Sequence, residues 1–208
     1  MEGWLGIVLA GGAGRRLALG APKAMAQLEG RTLVSRAIER LREVCRDVVV
    51  SVSPDRPLPP GILCGARAVS DPPGAEGPLA GLVAGLSSAP FEAAIVLGVD
   101  FPLVSAATLA SLAARLPGVR AVIPAPHGRP QPLVAVYAAD ALAPLRAKLT
   151  AGERAVVPAV MALDPLVIGD AELGWLPGGI ECWLNVNTAQ DLAEAASRLH
   201  GSHPERAA

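Results

Sequence analysis

Apolar residues come in two rhythms along this chain, and the two alternate. The first run, Ile7-Val8-Leu9-Ala10, is short and unbroken, with the length and bulk of a buried strand. From residue 31 the spacing changes. Leu33, Ala37, Ile38, Leu41 and Val44 recur at helical intervals with arginines between them, and Val48-Val49-Val50-Ser51-Val52 follows as a β-branched strand closed by Ser53-Pro54. A Pro-rich connection at 54–60 leads to a short strand, Arg67-Ala68-Val69-Ser70, that ends at Asp71. Pro78 to Ser88 predicts a small-faced helix, with proline in its first turn where a missing N–H costs nothing. Ala93 to Val99 is apolar on both faces, as an interior parallel strand must be.

Beyond Asp100-Phe101-Pro102, Ser105 caps a predicted helix to Leu116. Strands fall at Val119 to Pro124 and Leu133 to Tyr137, either side of a turn at His127-Gly128-Arg129, and Asp140 opens a helix to Leu149. The last stretch predicts a short helix over Ala155 to Leu163, strands at 165–168 and 182–186, and a helix begun by the capping box Thr188-Ala189-Gln190-Asp191. Strands alternating with helices imply an α/β fold in three layers, α/β/α, around a mostly parallel, Rossmann-like sheet. One domain over residues 1–200 accounts for the length, with a frayed tail at 201–208.

Such sheets bind ligands beyond the carboxyl ends of their strands. The residues with chemistry gather there: Ser51 ends the second strand, Asp71 the third and Asp100 the fourth. The first strand empties into Gly11, Gly12, Ala13 and Gly14, then Arg15, Arg16 and finally Lys23. Glycines let backbone approach a ligand, and successive N–H groups form an anion-holding concavity that the cations complete, so this loop reads as a polyphosphate site. Neither better-known phosphate loop fits, because Leu17 stands where G-x-G-x-x-G needs glycine and Pro22-Lys23-Ala24 lacks the Gly-Lys-Ser/Thr of the P-loop. The chain has only two lysines, Lys23 and Lys148, and otherwise uses arginine. A lysine kept at the end of this loop therefore suggests a specific point-charge contact to phosphate.

Composition narrows the partner. Hydrophobic residues make up 51%, charged residues 18%, and the net charge is -1, so a large core is available and neither nucleic acid nor an anionic membrane is expected. No apolar stretch reaches the ~20 residues of a membrane span, and no basic segment with a cleavage site opens the chain, so a cytoplasmic protein is expected. The three cysteines, 45, 64 and 182, have no metal spacing, and the histidines form no triad.

Asp100 puts a carboxylate opposite the phosphate loop, the position of a magnesium anchor, since that ion takes one or two carboxylates plus phosphate oxygens. Gly77 and Gly81, flanking Pro78-Leu79-Ala80, would let a flat base lie against backbone, although the same residues suit a plain helix start. Asn185 and Asn187 are the only asparagines. Two apart on a strand they share a face and could read a polar heterocycle or hold phosphate; they equally suit a turn before the Thr188 cap.

These segments, in this order, resemble the molybdenum cofactor guanylyltransferases (molybdopterin-guanine dinucleotide biosynthesis protein A), within the nucleotidyltransferases that open L-A-G-G-x-x-x-R. LAGGAGRR is similar to that opening, DPPGAEGPLAG to the family's D-x-x-x-x-x-G-P-L-A-G, LGVDFP to its C-D-x-P segment and NVNTAQDL to its N-x-N-T-P-x-D/E-L. Departures are the loop before Lys23, which has Pro22 in place of an acidic residue, Ser51 where asparagine is usual and Gln131 where histidine is usual. The resemblance implies a nucleotidyltransferase sheet, GTP and molybdenum-molybdopterin as substrates, a Mg2+ cofactor on Asp100, and other cofactor-biosynthesis proteins and recipient molybdoenzymes as partners. It assigns Leu9, Ala10, Gly11, Gly12, Lys23, Ser51, Asp71 and Asp100 to the nucleotide, with Leu9 to Gly14 holding the triphosphate through backbone N–H groups. Arg16, Lys23 and Asp100 become the catalytic set, and Asn185 and Asn187 the second-substrate side. The competing activities are cytidylyl transfer to the same cofactor, sugar-1-phosphate nucleotidyl transfer, and nucleotide binding without turnover. L-A-G-G rather than L-A-A-G favours guanine, because Gly11 removes a methyl where a purine must lie.

Overall fold

Runs too short for helices form the interior strands, and the amphipathic stretches between them form the covering helices. The computed structural model describes residues 3–11, 22–71 and 74–201. In chain order come β1 (Trp4–Leu9), the hairpin β2 (Gln27–Leu28) and β3 (Arg31–Thr32), α1 (Leu33–Arg42), β4 (Asp47–Val52), β5 (Arg67–Ser70), α2 (Pro78–Leu86) and β6 (Ala93–Gly98). Then follow α3 (Ala106–Ala113), β7 (Ala121–Pro124), β8 (Val134–Ala138), α4 (Leu142–Thr150), α5 (Val156–Met161), β9 (Leu166–Ile168), α6 (Asp170–Leu173) and α7 (Ala189–Gly201).

Seven strands make one sheet in the order β5-β4-β1-β6-β8-β7-β9. Its β5-β4-β1-β6 half is parallel throughout, with Leu9 opposite Ser51 on one side and Gly98 on the other. β8 enters antiparallel between β6 and β7, while β7 and β9 pair parallel. The chain leaves β1 in one direction toward β4 and returns to its other side as β6. That reversal opens a crevice at the strands' carboxyl ends.

Successive side chains point to opposite faces, so each strand serves two cores. Leu5, Ile7 and Leu9 share a core with residues of α2, α4 and α5, whereas Val8 shares the other with residues of α1, α3 and α7. The result is the expected three-layer arrangement. α2 lies unusually close to β1 because Gly85 has no side chain: a Cβ there would come within 2.5 Å of Ile7 Cγ2. No helix among the described residues is long and apolar enough to cross a membrane.

Two short features escape the periodicity: the hairpin and α6 are too brief to carry a repeat. One expected element is absent. Residues 182–186 are not a strand, because Ile180–Trp183 forms a 3-10 turn entered through Gly178 and Gly179, both at positive φ. Cys182 and Trp183 are buried consecutively, not alternately, and Trp183 packs edge-on against Phe101 with ring centres 6.5 Å apart. α7 runs to Gly201, and the remainder of the expected tail lies outside the described residues.

Candidate active site

A cavity of about 530 Å3 opens where β1 and β4 end, a size suited to a small-molecule ligand. Leu9, Gly11, Ser51, Asp71, Gly77 and Gly81 line it, with Pro54, Asp55, Arg56 and Glu76 from the following loops. Its floor is made by leaving atoms out. A Cβ on Gly81 would stand 3.1 Å from Ser51 Oγ and 3.5 Å from Asp71 Oδ1, and Gly77, at φ 96°, adopts a backbone setting that side chains resist. The Ser51 hydroxyl donates to Asp71, but burial is the larger influence and holds the Asp71 carboxyl above its ordinary range.

Beside this hollow stands a polar cluster. Lys23 begins the 3-10 turn Lys23–Met25 directly after Pro22, and the turn is fixed by Met25 N–H to Pro22 O (2.9 Å) and Ala26 N–H to Lys23 O (3.0 Å). Its side chain is only 9% exposed. Nζ donates to Asn187 Oδ1 at 2.8 Å and lies 3.7 Å from Asp100 Oδ2. Asn187 Nδ2 in turn donates to Asn185 Oδ1 at 2.6 Å. Lysine can only donate, so the amide oxygen must face it and the amide nitrogen must face Asn185.

Asp100 is carried past the end of β6 on a glycine. A Cβ at Gly98 would collide with Asp100 Oδ1, so the side chain can fold back over the strand end only because Gly98 lacks one. The backbone is clamped as well: Gly98 N–H donates to Leu133 O at 2.7 Å, and Val186 N–H donates to Asp100 O at 2.8 Å. The second of these bonds ties the Asn185–Asn187 segment to the Asp100 turn.

The residues named from sequence thus fall into two groups. Leu9, Gly11, Ser51 and Asp71 line the hollow; Lys23, Asp100, Asn185 and Asn187 form the cluster. Gly12 and Arg16 lie outside the described residues. Ala10 corrects the expectation that its N–H holds phosphate, because that group donates to Ser51 O at 3.0 Å and extends the β1–β4 ladder by one residue. The asparagines face one way as expected, although the cause is their mutual hydrogen bond and not a strand. Gly98 and Asp191 were missed. A glycine two residues before a strand-end aspartate is a readable signal, whereas Asp191 reads simply as a helix cap.

A glycine-lined hollow beside a lysine and an aspartate, at the crevice of a parallel sheet, is the layout of a nucleotide-handling α/β enzyme. The chain belongs to the MobA-like NTP transferase domain family, whose signature matches residues 6–163. It is 37% identical over 209 aligned positions to a probable molybdenum cofactor guanylyltransferase of Chloroflexus aggregans, covering 90% of each chain. A molybdenum cofactor guanylyltransferase of Desulfosudis oleivorans is 29% identical over 96% of this chain and 97% of that one. Among solved structures, molybdopterin-guanine dinucleotide biosynthesis protein A of Archaeoglobus fulgidus superposes with a TM-score of 0.78 at 26% identity, covering 95% of this chain and 99% of that one.

Proposed function

We propose that this nucleotidyltransferase transfers GMP from GTP to molybdenum-molybdopterin and releases pyrophosphate. The observation that carries the reading is the buried Lys23, held between Asp100 and Asn187 at the same sheet edge as the hollow, in a chain whose relatives carry the guanylyltransferase name. No side-chain nucleophile is required. A terminal phosphate oxygen of the pterin substrate attacks the α-phosphorus of GTP, the bond to the β-phosphate oxygen breaks, and pyrophosphate leaves with its electron pair. The barrier is repulsion between two anions, which positioning and positive charge overcome.

In this reading the hollow takes the nucleoside and Lys23 neutralises charge on the phosphates beyond the first. Asp100 fits a magnesium ion in the manner phosphate enzymes use. A single carboxylate leaves the other positions to phosphate oxygens and water, a donor set that suits Mg2+. Bound there, the ion would supply charge to the triphosphate oxygens. Purified protein given GTP, magnesium and molybdopterin should release pyrophosphate and form the dinucleotide. Tight GTP binding with no pyrophosphate would overturn the assignment of transfer.

A further inference from the structure

The contact between Lys23 and Asn187 joins residues 164 positions apart, and something must hold the far partner still. Thr188 and Asp191 form a reciprocal capping box at the start of α7: Thr188 N–H donates to Asp191 Oδ2 at 2.8 Å, and Asp191 N–H donates to Thr188 Oγ1 at 3.1 Å. That pair of bonds is the whole of the capping box. Asp191 Oδ2 also accepts the N–H of Asn187 at 2.7 Å, a residue outside the helix that the capping box leaves unbonded. The extra bond fixes the backbone from which the Asn187 amide reaches Lys23. The Asp191 carboxyl lies below its ordinary range, chiefly through that Asn187 N–H, with the charge of Lys23 contributing.

We propose that Asp191 is a positioning residue for Lys23 and acts through Asn187, so that the start of α7 aims the lysine of the candidate site. The proposal rests on the functional reading only for what Lys23 then holds. Asp191 neither hydrogen-bonds Lys23 nor lines the hollow; beyond the attraction between their charges, its hold on the lysine runs through the Asn187 backbone and amide.

Because the chain has only Lys23 and Lys148, each serves as reference for the other. Ligand-free protein is treated with limiting acetic anhydride and each lysine's acylation rate is read by peptide mass spectrometry. Asp191→Ala should raise the Lys23 rate relative to Lys148 roughly fivefold, the scale of a lost capping interaction. Asn187→Ala should do the same, and the double variant should react no faster than Asn187→Ala alone, because coupled residues are not additive. Asp191→Glu, which retains a capping carboxylate, should restore most of the protection. A merely structural helix cap would leave the ratio of the two lysines unchanged, and that result, or additivity in the double variant, would overturn the proposal. Should Asp191→Ala fail to fold, Asp191→Leu, close in shape but without an acceptor, is read in the same way. Calorimetry then connects the relay to function: Asp191→Ala should weaken GTP about fivefold and GMP less than twofold. A parent protein that binds no GTP would defeat the functional reading, while the acylation ratio would still decide the relay.

Discussion

The two halves of the candidate site are built by opposite means. The hollow exists because side chains are missing, at Gly77 and Gly81 above all, and two of its polar residues, Ser51 and Asp71, hydrogen-bond each other. The cluster exists because polar groups are crowded together, with Lys23, Asp100, Asn185 and Asn187 drawn from three distant parts of the chain. Added volume should therefore damage the first and removed atoms the second. The contrast also suits the two ends of a nucleoside triphosphate, a flat base that needs room and a phosphate chain that needs charge.

The largest effect is expected in the cluster. Asp100→Ala should lower turnover by about 10²- to 10³-fold, the scale on which a single charge-stabilising group acts in catalysis. Pyrophosphate release checks the rate, and calorimetry should find GMP affinity changed less than twofold. Equal loss of GMP binding would mean that Asp100 belongs to the hollow.

Next comes volume. Gly85→Ala puts a methyl 2.5 Å from Ile7 Cγ2 in the interior and should cost about 1–3 kcal/mol of stability in denaturant unfolding. Gly81→Ala meets Ser51 Oγ at 3.1 Å instead, at the lining of the hollow. Its stability loss should be smaller, while GTP and GMP should weaken together. A variant of Gly81 that loses GTP alone would break the division.

Gly11→Ala is gentler still. A Cβ there meets none of the described residues within 4 Å, so stability should change little, yet the methyl enters space a purine would use. The ratio of kcat/KM for GTP over CTP should fall by roughly tenfold, the scale of one misplaced methyl group. A parent that prefers CTP would remove the guanylyl assignment.

The smallest effects concern pH, and the two carboxylates have opposite signs. Asp71 has a raised folded pKa, so the stability it gives is full below the ordinary carboxylate range and lost as pH rises through the raised value. Asp191 has a lowered folded pKa, so its contribution is present above the ordinary range and lost as pH falls through the lowered value. Subtracting the melting profiles of Asp71→Asn and Asp191→Asn from that of the parent, over pH 3–7, should give slopes of opposite sign. Slopes of the same sign would contradict the environments described.

The members of both halves were legible one by one, Asp100 by the same strand-end rule as Ser51 and Asp71; the joining of the cluster was not. β1, β4 and β6 announce themselves as apolar runs, and Leu9, Ser51 and Asp71 follow from knowing where such strands end. The Gly77–Gly81 stretch marks close approach in any context. The antiparallel entry of β8 between β6 and β7 was not readable, because strand order depends on long-range packing that no local period records. The same reason hides the Lys23–Asn187 bond. Asn185 and Asn187 stood out as the only asparagines, and their shared direction was anticipated for the wrong reason: consecutive burial of Cys182 and Trp183 turns the chain, and no strand aligns them.

The division itself is tested most directly by Lys23→Ala, with GTP and GMP titrated into parent and variant by calorimetry. If Lys23 serves the phosphates beyond the first, GTP should lose roughly 10- to 100-fold in affinity, the worth of a charge-assisted hydrogen bond, while GMP changes less than twofold. Equal losses for the two nucleotides would place Lys23 in the nucleoside hollow and contradict the account.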